Sequence, residues 1–297
     1  MKRAAWLIEA GIAIILSMPF AVLPLRWALR AGEFLGLLLF YVWASRRRIA
    51  ADNISKTVAV HSITGKQSAE SVVREAFRNL GRCIAEVIKI YCGTGQRIID
   101  AVRVEGIEHF NAARAKRKGV ILITGHCGNW ELLAIVASVK FSPISVVARP
   151  VNNPYINSFV ERVRKKYGNA VIYKKGALKF ILQGIRNNDC VGILIDQAVL
   201  PEEGLVTDFL GRGAWTTKMP ALIARKTGAA VIPAFIHREN GGHLISIYPE
   251  VKLSVIEDRD AAIAEDTKNF SAYVERYILE HPTEWLWIHR RWKRVND

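Results

Sequence analysis

Cysteine and acidic side chains are both scarce in this chain. Four cysteines, Cys83, Cys92, Cys127 and Cys190, are spread over 297 residues. They form no CxxC pair and show no metal-ligand spacing, so they read as reduced, mostly buried thiols in a cytosolic setting. Asp and Glu number 27 against 42 Lys and Arg, which leaves a net charge of +15 and a pI near 9.8. That imbalance calls for an anionic partner: phospholipid headgroups, nucleic acid or a phosphorylated substrate. Internal repeats, low-complexity tracts and recognisable RNA- or DNA-binding motifs are all missing, which argues against nucleic acid. What is abundant is apolar: 51% of the residues are hydrophobic, enough for a sizeable core and for some surface that meets lipid. The length suits one large domain or two small ones.

The apolar content is concentrated at the N-terminus. Ala4 to Leu25 is interrupted only by Glu9, Ser17, Pro19 and Pro24, and a second run from Phe34 to Ala44 ends in Arg46-Arg47-Arg48. A spanning helix needs about 20 apolar residues, which the first run barely supplies. Lys2 and Arg3 ahead of it resemble a signal peptide, but no small-x-small cleavage site follows and the chain continues apolar and aromatic. Residues 4–44 are therefore expected to form an uncleaved membrane anchor, one span or a shallow hairpin, with Arg46–Arg48 on the cytoplasmic side. A pair of buried core helices is the competing reading. The expected division is an anchor over 1–48 and a catalytic domain over 49–297.

Beyond the anchor, Gln67–Tyr91 has a helical period, with Val72, Val73, Ala76, Leu80, Ile84, Val87, Ile88 and Tyr91 on one face. Val102–Glu105 suits a short strand. Strands are then expected at Val120–Thr124, Ile144–Ala148, Ala170–Tyr173, Val191–Ile195, Ala230–Ile236 and Leu244–Tyr248. Helices are expected at Leu132–Lys140, Tyr155–Tyr167, Ala177–Arg186, Met219–Thr227 and Ala261–Leu279. This alternation predicts an α/β fold, a mostly parallel central sheet flanked by helices, with the apolar helical membrane anchor in front.

Polar residues recur where strands end, which is where ligands bind in such folds. His126 and Glu131 lie five residues apart between the first long strand and its helix. A carboxylate that steers an imidazole makes a general base at neutral pH; a surface histidine beside a helix-start glutamate is the bland alternative. Arg149 and Asn152 follow the next strand, and Arg164, Lys165 and Lys166 lie on the helix after it. An Arg on such a loop suits a carboxylate or phosphate, although Asn152-Asn153-Pro154 also reads as a simple turn. Asp196-Gln197 closes a further strand, where the carboxylate would bind substrate or orient the base. Gly211–Thr217 is read as a loop, with Thr216 or Thr217 as N-cap of the following helix. Trp285, Trp287 and Trp292 among Arg290, Arg291, Lys293 and Arg294 read either as interfacial or as a core strand with a basic end. Cys127 as a hydrolase nucleophile is disfavoured because neighbours on a turn point apart, and zinc held by His126, Cys127 and Glu131 lacks a fourth ligand.

Taken in order, these segments resemble the lipid A late acyltransferases, a branch of the glycerolipid acyltransferase superfamily whose motif carries Glu rather than Asp. The resemblance rests on Thr124-Gly-His-Cys-Gly-Asn-Trp-Glu131, Arg149-Pro-Val-Asn-Asn-Pro154, Ile195-Asp-Gln197, Phe209–Thr217, Lys226–Pro233 and His281–Lys293, with Phe77-Arg-Asn-Leu-Gly81 also fitting. It implies a bacterial inner-membrane enzyme, active on the cytoplasmic face, that moves an acyl chain from acyl carrier protein to a hydroxyl of a lipid A precursor. By the same likeness His126 is the base and Glu131 its partner. Asn129, Arg149, Asn152, Arg164, Asp196 and Gln197 are expected to bind substrate, with backbone N–H groups near Gly128 and Asn129, or an arginine, facing the oxyanion. Arg164 would also suit an acceptor phosphate. No metal or cofactor is implied. Other glycolipids or lysophospholipids, and coenzyme A thioesters, are the alternative substrates.

Overall fold

The structure is a computed structural model that describes residues 2–61, 68–173, 176–293 and 295. Three helices lead: α1 (Lys2–Val22), α2 (Leu25–Val42) and α3 (Ala44–Val58), followed by the long α4 (Ala69–Tyr91) and the short α5 (Gln96–Asp100). Alternation begins with β1 (Arg103–Glu105), α6 (Ile107–Ala115), β2 (Val120–Thr124), α7 (Trp130–Lys140), β3 (Ile144–Ala148), α8 (Pro154–Lys166), β4 (Ala170–Tyr173), α9 (Ala177–Arg186) and β5 (Cys190–Leu194). A hairpin of β6 (Gly204–Phe209) and β7 (Arg212–Thr217) interrupts it, before α10 (Met219–Thr227), β8 (Ala230–Glu239), β9 (Gly242–Ile247) and α11 (Arg259–Glu280).

Seven strands form one sheet in the order β1-β9-β8-β2-β5-β3-β4, parallel throughout except where β9 runs antiparallel to β8. The expected mostly parallel α/β architecture is thus the one observed. The central strands are apolar on both faces because helices cover both. Ile121 and Ile123 of β2 pack with α9, α10 and α11, whereas Val120 and Leu122 face α6 and α7. The helix starts are set by short polar side chains that satisfy free backbone N–H groups. Ser68 accepts from Ser71, Asn129 from Leu132, Asn153 from Tyr155 and Ile156, and Asp258 from Ala261.

Glycine lets the N-terminal helices approach the rest. Gly32 and Gly36 of α2 lie against Gly81 and Phe77 of α4, where a Cβ would collide with the facing carbonyl oxygens. Small residues four apart permit this contact between backbones. At its far end α2 meets α3 at a bend of 91°, and Asn53 of α3 donates to the carbonyls of Trp287 and His289 in the C-terminal segment. The buried-helix reading of the N-terminus fails for α1, which has no buried residue and is long and apolar enough to cross a membrane. Residue 48 falls inside α3.

Three local expectations change. Gly211–Thr217 is not a loop: most of it is β7, paired to β6 across a two-residue turn in which Leu210 and Gly211 both have positive φ, 55° and 79°. That is the backbone a tight hairpin with the correct twist requires. Leucine is an unusual residue for it, and is held by complete burial and by the Glu275 carboxylate accepting its N–H. Thr216 is accordingly a buried strand residue, and Lys218, without a side-chain cap, precedes α10, although Thr217 Oγ1 does accept the Met219 N–H at 3.3 Å. Finally, Trp285 and Trp287 are buried rather than interfacial, and Trp285 forms an isolated bridge with Cys127. The expected start of α4 at Gln67, and Arg294 of the basic tail, lie outside the described residues.

Candidate active site

Two neighbouring strand ends define the centre of the site. β2 and β5 are paired in parallel register, Thr124 opposite Leu194, and His126 and Asp196 each come two residues after those positions. They therefore leave the sheet at the same level on adjacent strands. His126 Nδ1 lies 2.8 Å from Asp196 Oδ1, and the His126 backbone N–H donates to Oδ2 at 3.0 Å. Trp285 Nε1–H donates to the same Oδ2 at 2.8 Å. Burial alone would raise the Asp196 carboxyl. The His126 ring, the His126 backbone N–H and the Trp285 indole outweigh it and hold the group well below the usual carboxylate range. An ionised Asp196 keeps the His126 proton on Nδ1, so Nε2 presents its lone pair, with the Gln197 amide 3.2 Å away. The Trp130 ring meets the imidazole edge-on with centroids 5.1 Å apart.

The partner expected for His126 was Glu131. The structure gives Glu131 other partners: Arg164 Nε and NH2 donate to its two oxygens at 2.8 and 2.7 Å, and the Tyr91 hydroxyl donates to Oε1. Glu131 sits in the first turn of α7, where its chain meets the arginine fork from α8, while Asp196 arrives beside the imidazole in strand register. Burial pulls the Arg164 guanidinium down, but Glu131 more than restores it, so the guanidinium stays charged. The fork is consequently engaged by protein rather than aimed at a ligand phosphate.

A cleft of about 320 Å³ opens at these strand ends, lined by His126, Trp130, Glu131, Arg149, Arg164 and Gln197 among others. Of the expected binding residues, Arg149 stands at its exposed rim. Asn152 lies on the exposed bend before α8 and does not line it. A narrower apolar cavity of about 50 Å³ shares Trp130, Ala134, Val146 and Leu194 with the cleft and continues between α7 and the sheet past Leu133, Ala137, Phe141, Ile144 and Gly192.

Asn129 has a structural post. Its Oδ1 caps α7, an interaction worth about 0.5–2 kcal/mol, and its Nδ2 donates to Glu86 Oε2 at 3.0 Å. Glu86 is buried and also accepts from both terminal nitrogens of Arg238, at 2.6 and 3.0 Å, and lies 2.9 Å from His243 Nε2. Burial would raise its carboxyl, but the His243 hydrogen bond and Arg238 prevail and lower it to about 2. The turn itself is pinned further: Gly128 N–H donates to the Glu284 carbonyl at 2.8 Å, and Leu286 N–H to the His126 carbonyl at 3.1 Å. Gly128 N–H is thus already used and does not face an oxyanion. Cys127 is buried, and desolvation pushes its thiol well up, which suits packing and not nucleophilic attack. Among the described residues no group of three His, Cys, Asp or Glu is placed to hold a metal ion.

Sequence reasoning missed Trp285, Tyr91 and the Glu86–Arg238–His243 cluster. Each acts through a contact between segments far apart in the chain, and only the dense tryptophans of the tail offered a signal.

A family model described as bacterial lipid A biosynthesis acyltransferase matches residues 2–294. The chain is 24% identical to the Lipid A biosynthesis palmitoleoyltransferase of Escherichia coli over 97% of its own length and 91% of the relative's. It is 25% identical to the Lipid A biosynthesis lauroyltransferase of the same organism, over 97% and 92%. A Phosphatidylinositol mannoside acyltransferase of Mycobacterium tuberculosis is 24% identical over 66% of this chain and 61% of that one.

Trp285→Phe keeps an aromatic ring but removes the indole N–H that donates to Asp196. A hydrogen bond to a charged group is worth about 1.5–3 kcal/mol, so kcat should fall about 10- to 100-fold with KM little changed. The Asp196 carboxyl rises, and activity should therefore be lost at a higher pH on acidification; an unchanged pH–rate profile would reject the role. For Glu86 the folded carboxyl titrates at about 2 against 4.5 for the free group. Its stabilising contribution is thus complete above about pH 4.5 and declines as pH falls toward 2. Melting temperatures measured from pH 7 to 3 should drop steeply for the native chain and less steeply for Glu86→Gln, which starts lower.

Proposed function

Since the chain belongs to the bacterial lipid A biosynthesis acyltransferase family and is an O-acyltransferase, we propose that it transfers a fatty acyl group from an acyl carrier protein thioester to a hydroxyl of a lipid A precursor, with His126 as general base. The observation that carries this reading is the buried Asp196 carboxylate on His126 Nδ1, which leaves Nε2 directed into the cleft. The acceptor hydroxyl gives its proton to Nε2 as its oxygen attacks the thioester carbonyl. Asp196 stabilises the imidazolium that results. The tetrahedral intermediate then expels the thiolate, and the imidazolium returns the proton to sulfur. Such base catalysis is typically worth roughly 10²–10⁴-fold.

Glu131 acts in this scheme through Arg164 and Tyr91, fixing the cleft wall beside the base. Arg149 at the rim supplies positive charge for an anionic headgroup or the developing oxyanion. The apolar cavity that continues past Gly192 accommodates the start of the acyl chain. The apolar α1 and the net charge of +15 support placement at the cytoplasmic face of the inner membrane, since that charge suits both anionic lipid and an acidic carrier protein.

The test offers labelled acyl carrier protein and coenzyme A thioesters to the detergent-solubilised enzyme, with a tetraacylated lipid A precursor and a mannosylated phosphoinositide side by side. Transfer to the lipid A precursor from the carrier protein, reduced roughly 10²–10⁴-fold in both His126→Ala and Asp196→Asn, is the expected result. Transfer to the other acceptor alone would overturn the substrate, and transfer that survives both changes would overturn the mechanism. Gly192→Val adds bulk 3.3 Å from Ile144 Cγ2 and should shift donor preference to shorter chains. A misfit of one methylene is worth about 1–3 kcal/mol, so competition between donors of graded length should show at least a roughly tenfold change.

A further inference from the structure

Between Glu161 and Asp189 the chain holds eight Lys and Arg and no Asp or Glu. More than half of the net charge of +15 thus falls in less than a tenth of the sequence. This stretch is the outer edge of the sheet: the last turn of α8, the edge strand β4, and α9. One crossover leaves β3 for β4 and the next returns from β4 to β5, so α8 and α9 cover opposite faces of the edge. Arg162, Lys165 and Lys166 of α8 and Lys179 and Arg186 of α9 are all exposed. Arg164 is spent on Glu131, but these five have no carboxylate partner among the described residues. Lys174 and Lys175 lie outside those residues. Like charges gathered without counter-ions repel one another, a cost that a partner of opposite sign removes.

α9 adds shape to the charge. Leu178 and Leu182, four apart, run along its outer side next to Lys179 and Arg186, seven apart. With Gln183 and Asn187 they line an open groove of about 500 Å³. Leu178 is 50% exposed and Phe180, on the flank, 57%. An apolar row at helical spacing bordered by cations is the complement of an amphipathic helix with acidic borders. A bilayer is the rival partner for any basic surface. The cations of α2 and α3, however, keep tryptophan beside them: Arg30 lies over Trp27 at 5.0 Å and Arg46 over Trp43 at 5.5 Å. Those residue types together favour the headgroup zone. Between Trp130 and Trp215 the chain has no tryptophan, and the edge lacks that signature.

The groove also stands at the end of the sheet where the chemistry is. Tyr173, the last residue of β4, pairs with Ala148 of β3, and Arg149 on the rim of the cleft follows directly. α9 opens at Ala177, so Leu178 and Lys179 lie at the same strand ends as His126. They are one strand beyond the cleft wall that β3 forms.

We propose that α9 is the docking surface for an acidic amphipathic helix of the carrier protein that brings the acyl donor, with the exposed cations of α8 steering its approach across the β4 edge. The helix lays its apolar side on Leu178 and Leu182 and its carboxylates against Lys179 and Arg186. The thioester, carried on a flexible pantetheine arm, enters the cleft past Arg149. This rests on the carrier-protein donor proposed above and states where that donor is held.

The test compares the native full chain in detergent with Lys179→Glu/Arg186→Glu. Carrier-protein and coenzyme A thioesters of the same acyl group are offered in separate assays with one lipid acceptor. In the double variant KM for the carrier-protein thioester should rise at least about tenfold, with kcat and the acceptor's KM within about twofold, because reversed rim charges act on association. Added salt should weaken use of the carrier-protein thioester by the native chain and have much less effect on the variant. An unchanged KM for that thioester would overturn the docking surface. A rise confined to the acceptor's KM would overturn it too, and would assign the cations to lipid headgroups. A native chain that uses the coenzyme A thioester and not the carrier protein would overturn the donor reading itself, a result seen without the variant.

Discussion

A carboxylate taken out of water must find its hydrogen-bond donors inside the protein, and an ion without them is expelled or neutralised. Asp196 finds them in three places: the imidazole of His126, the backbone of the same residue, and the indole of Trp285. These belong to the loop after β2 and to the C-terminal segment, while Asp196 itself follows β5. One buried charge thus ties together two adjacent strand ends and the last stretch of the chain. Parallel pairing of Thr124 with Leu194 brings the two strand ends level; the tail closes over them.

The same arrangement recurs around the start of α7. Glu131 is held by the fork of Arg164, and Glu86 by that of Arg238. Each is a buried or nearly buried pair with further donors, Tyr91 in one case and Asn129 and His243 in the other. Removing one member of such a pair leaves its partner's charge without a counter-ion, which is far more damaging than losing a surface ion pair. The turn His126–Asn129 is therefore suspended between two charged clusters, one on each side of the helix it introduces. Its geometry does not depend on the flexibility of a surface loop.

Much of this was legible in the sequence where local pattern and tertiary demand coincide. β2, β3 and β4 were delimited to the residue, because continuous apolar runs between turn residues mean little else in a sheet covered on both faces. The position of the site was legible too, since His126, Arg149 and Asp196 each sit where a strand ends. The hairpin was hidden because Leu210, not asparagine or glycine, occupies a turn position with positive φ, and the Glu275 carboxylate that supports it is distant in the chain. Asp196 was legible as a strand-end carboxylate able to orient the base, but proximity in sequence favoured Glu131; sheet register, which no spacing encodes, puts Asp196 on His126 Nδ1. Trp285 was invisible as a functional residue for the same reason: a tryptophan's choice between lipid, core and a specific acceptor is made by what surrounds it.

The bond from Trp285 to Asp196 joins residues 89 positions apart, and it has a bearing on synthesis. A chain emerging from the ribosome folds from its N-terminus, so the helices α1 to α4 are made before the central strands. Trp285, which bridges Cys127 and completes the donors of Asp196, is made after every strand of the sheet. Every earlier length of the nascent protein holds an aspartate one donor short and a turn whose glycine N–H has no acceptor from the tail. The aspartate therefore gains its last donor, and the turn its acceptor, only after the whole sheet that carries them has been made.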